Sequence, residues 1–169
     1  MGVDLQLTGI DADGRYRLHN LDWESEAYYD PDEALIMELA DTHGVWTAEH
    51  TDGAYEVMHF ALTEQLHPEN GDGPLFSIPP LSTDVLDSGS WNGLAGEAQL
   101  VEIAHALGSV DEDTIRARLA RCPPEAYSAG LYAAGDGRSN DAVLADARGL
   151  VAFIQQCVDR KLGVLAQLM

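Results

Sequence analysis

A chain of 169 residues with 29 acidic and 9 basic side chains carries a net charge of −20. A field of that sign repels phosphate backbones and anionic lipid surfaces, which excludes direct nucleic-acid binding and a membrane-surface role, and it attracts cationic partners. At 46% hydrophobic and 22% charged residues the composition is that of a folded protein, and the length suits one domain spanning residues 1–169.

Val3, Leu5 and Leu7 alternate with polar residues and predict a strand over 3–8. Asp11-Ala12-Asp13-Gly14 reads as a turn. It resembles the start of a calcium loop, but the downstream Glu is missing. Arg15 to His19 alternates again, so the first twenty residues predict a hairpin. A helix is expected over Asp30–His43, capped by Asp30 with Pro31 at its first position and Leu35, Ile36, Leu39 and Ala40 as its apolar stripe. Gly44 stops it, and a short strand follows at 45–47.

The next helix is expected over 52–66, with Ala54, Val57, Met58, Ala61 and Leu62 inward and Asp52, Tyr55, Glu56, His59 and Thr63 on the opposite, solvated side. Residues 67–73 form a polar loop. Leu75–Ile78 is a short strand candidate stopped by Pro79-Pro80, and Ser82–Gly93 reads as a loop around Trp91. Helices follow over 98–107, from a Ser109/Glu112 capping box through Ala120, briefly around Gly130, and from Asn140 or Asp141 through Val158, with a strand over Gly163–Leu168. The fold class expected is α+β: several helices packed on a small mixed or antiparallel sheet.

The charge has a layout. After Arg17 no Lys or Arg occurs until Arg116, and seven of the nine basic residues lie from Arg116 onward. Within the acidic stretch, Glu24, Glu26, Asp30, Asp32 and Glu33 alternate with Trp23, Tyr28, Tyr29 and Trp46. Aromatic anchors ringed by carboxylates suit a protein interface. The N-terminus lacks the basic and apolar runs of a leader, and no apolar run is long enough to span a bilayer, which predicts a cytoplasmic protein.

No phosphate-binding loop, nucleophile elbow or zinc-helix motif is present, and no cofactor is expected. His43, His50, His59 and His67 are spaced seven to nine residues apart, which supplies no ligand geometry, so no metal is expected. Cys122 and Cys157 lie in no paired motif, and Cys157 falls on a helical apolar stripe. Acid–base chemistry has one candidate cluster, Glu56 and His59 with Tyr55 beside them and Tyr132 as a further partner.

The stretch Thr51-Asp52-Gly53-Ala54-Tyr55-Glu56-Val57-Met58-His59-Phe60-Ala61-Leu62-Thr63 resembles a helix of the bacterial YfbM-like family of unknown function. Segments 102–107, 115–119, 129–132 and 150–153 resemble it in the same order, so the likeness spans roughly 51–169, while 1–50 diverges. Tyr55 stands where that family tends to have Trp, Glu56 where it tends to have His, Gly53 replaces a Lys, and Pro79-Pro80 replaces a Gly-Gly loop. The resemblance implies a compact α and β domain and no activity.

The reading that follows is a non-enzymatic acidic binding protein, of the immunity or antitoxin type, that neutralises a basic toxin or another cationic protein. The alternative is a small-molecule enzyme using Glu56 and His59.

Overall fold

The computed structural model describes residues 5–20, 29–48, 54–66, 73–81, 91–123 and 140–168. Among them are four strands and six helices: β1 (Leu5–Ile10), α1 (Ala12–His19), α2 (Tyr29–His43), β2 (Val45–Ala48), α3 (Ala54–Thr63), β3 (Trp91–Ala95), α4 (Glu97–Gly108), α5 (Glu112–Ala120), α6 (Asn140–Asp159) and β4 (Gly163–Leu168). The fold is α+β, as expected. All strand pairings are antiparallel, in the order β2-β1-β4-β3.

The sheet is sandwiched between helical layers, because its strands bury apolar residues on each face. Side chains alternate across the pleat, so Leu5 and Leu7 face one way with Ala166, Leu168 and Trp91, in register across β4 and β3. These join the larger core with α3, α4, α5 and α6. Ile10, Leu94 and Leu165 face the other way and meet Leu18 of α1 and Leu35 and Leu39 of α2. Helix α6 carries much of the first layer: Val143, Leu144, Ala147, Leu150, Ile154 and Cys157 recur at helical spacing and all are buried.

The predicted N-terminal hairpin is not formed. Residues 12–19 are helical because Asp11 caps them: its Oδ1 accepts the Gly14 N–H at 2.7 Å. Arg15–His19 alternates in polarity, yet Gly14 and Leu18, four residues apart, are the buried pair, so the helical period prevails. Gly14 lets α1 sit close against α2: a Cβ there would stand 2.6 Å from Leu39 Cδ2, and that side chain would have to turn aside. Arg17 bonds Glu38 across the same α1–α2 contact, at 2.8 Å.

Helix α2 begins at Tyr29, so Asp30 lies within the first turn and not at the cap. It ends at Gly44, whose φ of +95° only glycine adopts freely, and the chain turns into β2. Helix α5 is capped by Asp111, whose carboxylate takes the Thr114 N–H at 2.7 Å, and not by Ser109. Trp91 opens strand β3 instead of sitting in a loop. Its indole covers Gly93, where a Cβ would fall within 2.2 Å of the ring. The expected 67–73 loop, apart from Gly73, and the turn around Gly130 lie outside the described residues.

Candidate functional site

Helix α3 was expected to keep one side in water. It does not. Val57, Met58, Ala61 and Leu62 are buried as predicted, but so are Tyr55, Glu56 and His59, at 9%, 9% and 2% exposure. The wider stripe arises because α3 packs against both α5 and α6 and is overlaid by residues 73–78. Asp52 lies outside the described residues, and Thr63 is half-buried with its hydroxyl on the His59 carbonyl.

Two ionisable side chains thus stand one turn apart in the core, which is costly unless each is hydrogen-bonded. The Tyr55 hydroxyl donates to Glu56 Oε1 at 3.2 Å. His59 Nδ1 accepts the backbone N–H of Phe76 at 2.9 Å. An accepting Nδ1 carries no proton, so the neutral ring holds its proton on Nε2. In chemical terms His59 can then donate from Nε2, and Glu56 is the group able to accept a proton.

The Phe76 contact belongs to a turn that was expected to be a strand. Leu75 and Ile78 exchange backbone hydrogen bonds at 3.1 and 2.8 Å around Phe76 and Ser77, both left-handed, with φ of 51° and 65°. That is the signature of a type I′ turn, normally built from Asn and Gly. A side chain in this region costs about 1–2 kcal/mol per residue. Phe76 offsets it by full burial and by an edge-on contact with the His59 ring, centroids 5.6 Å apart. The neighbouring Trp91 Nε1 donates to Gly73 O at 3.2 Å, a second tie on the same segment. Nothing in the sequence announces this turn beyond a tetrapeptide too short to be a strand of its own.

Of the residues expected at a partner interface, Trp23, Glu24, Glu26 and Tyr28 lie outside the described residues, as does Tyr132 of the acid–base alternative. Tyr29, Asp30 and Asp32 are placed in the first turn of α2, and Glu33 is exposed. Trp46 stands apart from this group on β2, half-buried against the larger core.

Carboxylates also lie exposed well beyond that stretch: Glu97 and Glu102 on α4, Asp113 on α5, Asp159 on α6. The arginines are largely engaged already. Arg17 holds Glu38, Arg116 holds Asp141 at 2.7 Å, Arg118 and Arg121 both hold Glu64, and Arg148 holds Glu112. Arg118 also donates to the Ala61 and Leu62 carbonyls at 3.1 Å, closing the C-terminus of α3. The pairing with Arg17 holds the Glu38 carboxyl below its usual range.

A shallow groove of about 280 Å³ lies between α4, α5 and α6, walled by Leu107, Val110, Ile115 and Val151. Its one cationic side chain, Arg148, is the one spent on Glu112.

No protein-family profile matches the chain, and no curated protein matches it. Among solved structures, a protein of unknown function, YfbM from Escherichia coli, superposes with a TM-score of 0.55, covering 99% of this chain and 99% of that one at 14% identity. The fold is YfbM-like. The superposition covers nearly the whole chain and so extends to described residues before 51, where no resemblance is carried by the residues themselves. At that identity the YfbM likeness speaks for the fold alone.

The remaining polar residues stand in separate surroundings. His43 Nε2 meets Asp11 Oδ2 at 3.2 Å, far in sequence from the buried His59. Cys122 and Cys157 form no disulfide, and burial pushes the Cys157 thiol up to about 11. Among the described residues no three His, Cys, Asp or Glu side chains converge as a metal site would require, and no helix is long and apolar enough to cross a membrane.

Proposed function

We propose that the chain is a binding protein for a cationic protein, an immunity or antitoxin-type inhibitor that covers a basic surface on its target. One observation carries this reading: Arg17, Arg116, Arg118, Arg121 and Arg148 are each committed to a carboxylate of the same chain. A net charge of −20 remains with few cations to balance it, and a partner is the natural source of the rest. The binding surface is centred on residues 23–33, where acids and aromatics alternate. Lysine at three of Glu24, Glu26, Asp30 and Asp32 tests it: folding is retained, and affinity for the partner captured by the native chain drops. Unchanged affinity over a salt series would count against the reading.

A second reading, a small-molecule enzyme, is favoured by the burial of Glu56 and His59 together on α3. There Glu56 is the base and His59 Nε2 the donor. His59→Asn separates the two readings, because an Asn oxygen can still accept the Phe76 N–H while the imidazole is gone. Normal biological activity in this variant supports the binding protein. Lost activity in a folded His59→Asn protein supports the enzyme.

A further inference from the structure

The charge is divided unevenly along the chain. Residues 1–96 hold 19 acidic and 2 basic side chains, whereas residues 97–169 hold 10 acidic and 7 basic. Helices α4, α5 and α6 all come from the second, nearly neutral part. A second copy of a chain with net charge −20 is therefore repelled least where these helices face outward.

The groove of about 280 Å³ lies between the same helices. Helices α4 and α6 run antiparallel beside it. Gly163, after α6, has Gly96 Cα, before α4, only 3.3 Å from where its Cβ would be, while Gly108 at the far end of α4 shares the groove with Val151 in the middle of α6. Nothing within the described residues calls for a glycine at 108. Its φ is not left-handed, and a Cβ there would meet no heavy atom within 4 Å. Glycine is nonetheless the weaker helix former, so a hollow is kept open at some cost. Two turns earlier on the same side of α4, about 10 Å along the axis, Val101 stands 48% exposed. One side of one helix thus carries both an apolar knob and an apolar hollow.

We propose that the chain forms a two-fold dimer through α4 and α6, in which Val101 of each copy enters the groove beside Gly108 of the other. An isologous interface needs each contact to occur twice. Antiparallel pairing of the two α4 helices about an axis near Ala104 and His105 brings both Val101–Gly108 pairs together at once. The dimer uses none of residues 23–33, so it stands apart from the binding-protein reading. It also responds to salt in the opposite sense: screening relieves repulsion between like chains and tightens the dimer, but weakens the hold on a cationic partner.

Sedimentation equilibrium of the full chain from about 1 μM to about 1 mM, at low and at high salt, reads the association directly. A monomer–dimer equilibrium that tightens with salt is expected. Gly108→Leu, which fills the hollow, and Val101→Lys are each expected to weaken it by about tenfold or more, with circular dichroism and melting like the parent's. The geometry is read in chains that also carry Cys122→Ser. Under mild oxidation, mixed Val101→Cys and Gly108→Cys chains join as unlike pairs, because two copies of residue 101 lie about 10 Å apart along the helices, too far for a disulfide. A parent that stays monomeric at every concentration and salt overturns the proposal. So do a dimer that both groove variants leave equally tight, and bridging that favours like pairs. A monomeric parent whose cationic partner is lost in Gly108→Leu also overturns it, and assigns the groove to that partner.

Discussion

His59 accepts the backbone N–H of Phe76 through Nδ1 at 2.9 Å, joining the middle of a buried helix to a turn in which two consecutive non-glycine residues are left-handed. That bond gives the imidazole a structural task in addition to any chemistry. His59→Ala leaves the Phe76 N–H buried and unpaired and opens a cavity, and a loss of about 3 kcal/mol is expected. His59→Asn recovers a good part of it. Urea unfolding of the two variants checks the difference, and equal losses would mean the hydrogen bond is not what holds the turn.

The turn stores strain at Ser77. Its side chain is exposed, so it gains little from packing, and its φ is 65°. Ser77→Gly is expected to stabilise the protein by about 1 kcal/mol, read as a higher unfolding midpoint with unchanged slope. Phe76→Gly relieves the same strain but gives up full burial, and it destabilises.

Acid weakens the α1–α2 corner. The Gly14 N–H, with His43 adding a smaller effect, holds the Asp11 carboxyl below its ordinary value. A carboxyl whose folded pKa is depressed contributes stability above its unfolded pKa, near 4, and that contribution is lost as pH falls through the folded pKa. Asp11→Ala is expected to cost about 1 kcal/mol at pH 7 as a lost cap and to flatten the acid limb of the stability curve below about pH 4. An acid limb identical to the parent's would remove Asp11 from that role.

The two thiols differ in reactivity. Burial raises Cys157 to about 11, which leaves it protonated and shielded at neutral pH. Cys122 is half-buried at the end of α5. A thiol reagent at pH 8 should therefore modify Cys122 in the folded protein and reach Cys157 only when urea unfolds it. Equal rates in the native state would contradict the packing of α6.

Much of the architecture is legible in the sequence because periodicity and punctuation agree there. The spacing of Leu35 and Leu39, with Gly44 after them, marks α2, and the run from Val143 to Cys157 marks α6. Strand β4 is bounded by Gly163 and Leu168, as expected. The failures have physical causes. Arg15–His19 is too short for alternation to outweigh a cap, and Asp11 is that cap. On α3 the polar stripe became core because two helices and a turn close over it, and polarity alone does not tell a solvated face from a buried, hydrogen-bonded one. Gln167 looks like an ordinary outward residue of β4 until the register places it between Gln6 and Asn92.

The central claim is that this surface exists to meet positive charge. Its most direct measurement is the affinity of the captured partner for the parent chain and for the Glu24→Lys, Glu26→Lys, Asp32→Lys variant, from low to high salt. A steep fall in affinity with salt for the parent, together with a drop of about tenfold or more and a shallower slope for the variant, is the predicted result. Two superimposable, flat salt curves would contradict it.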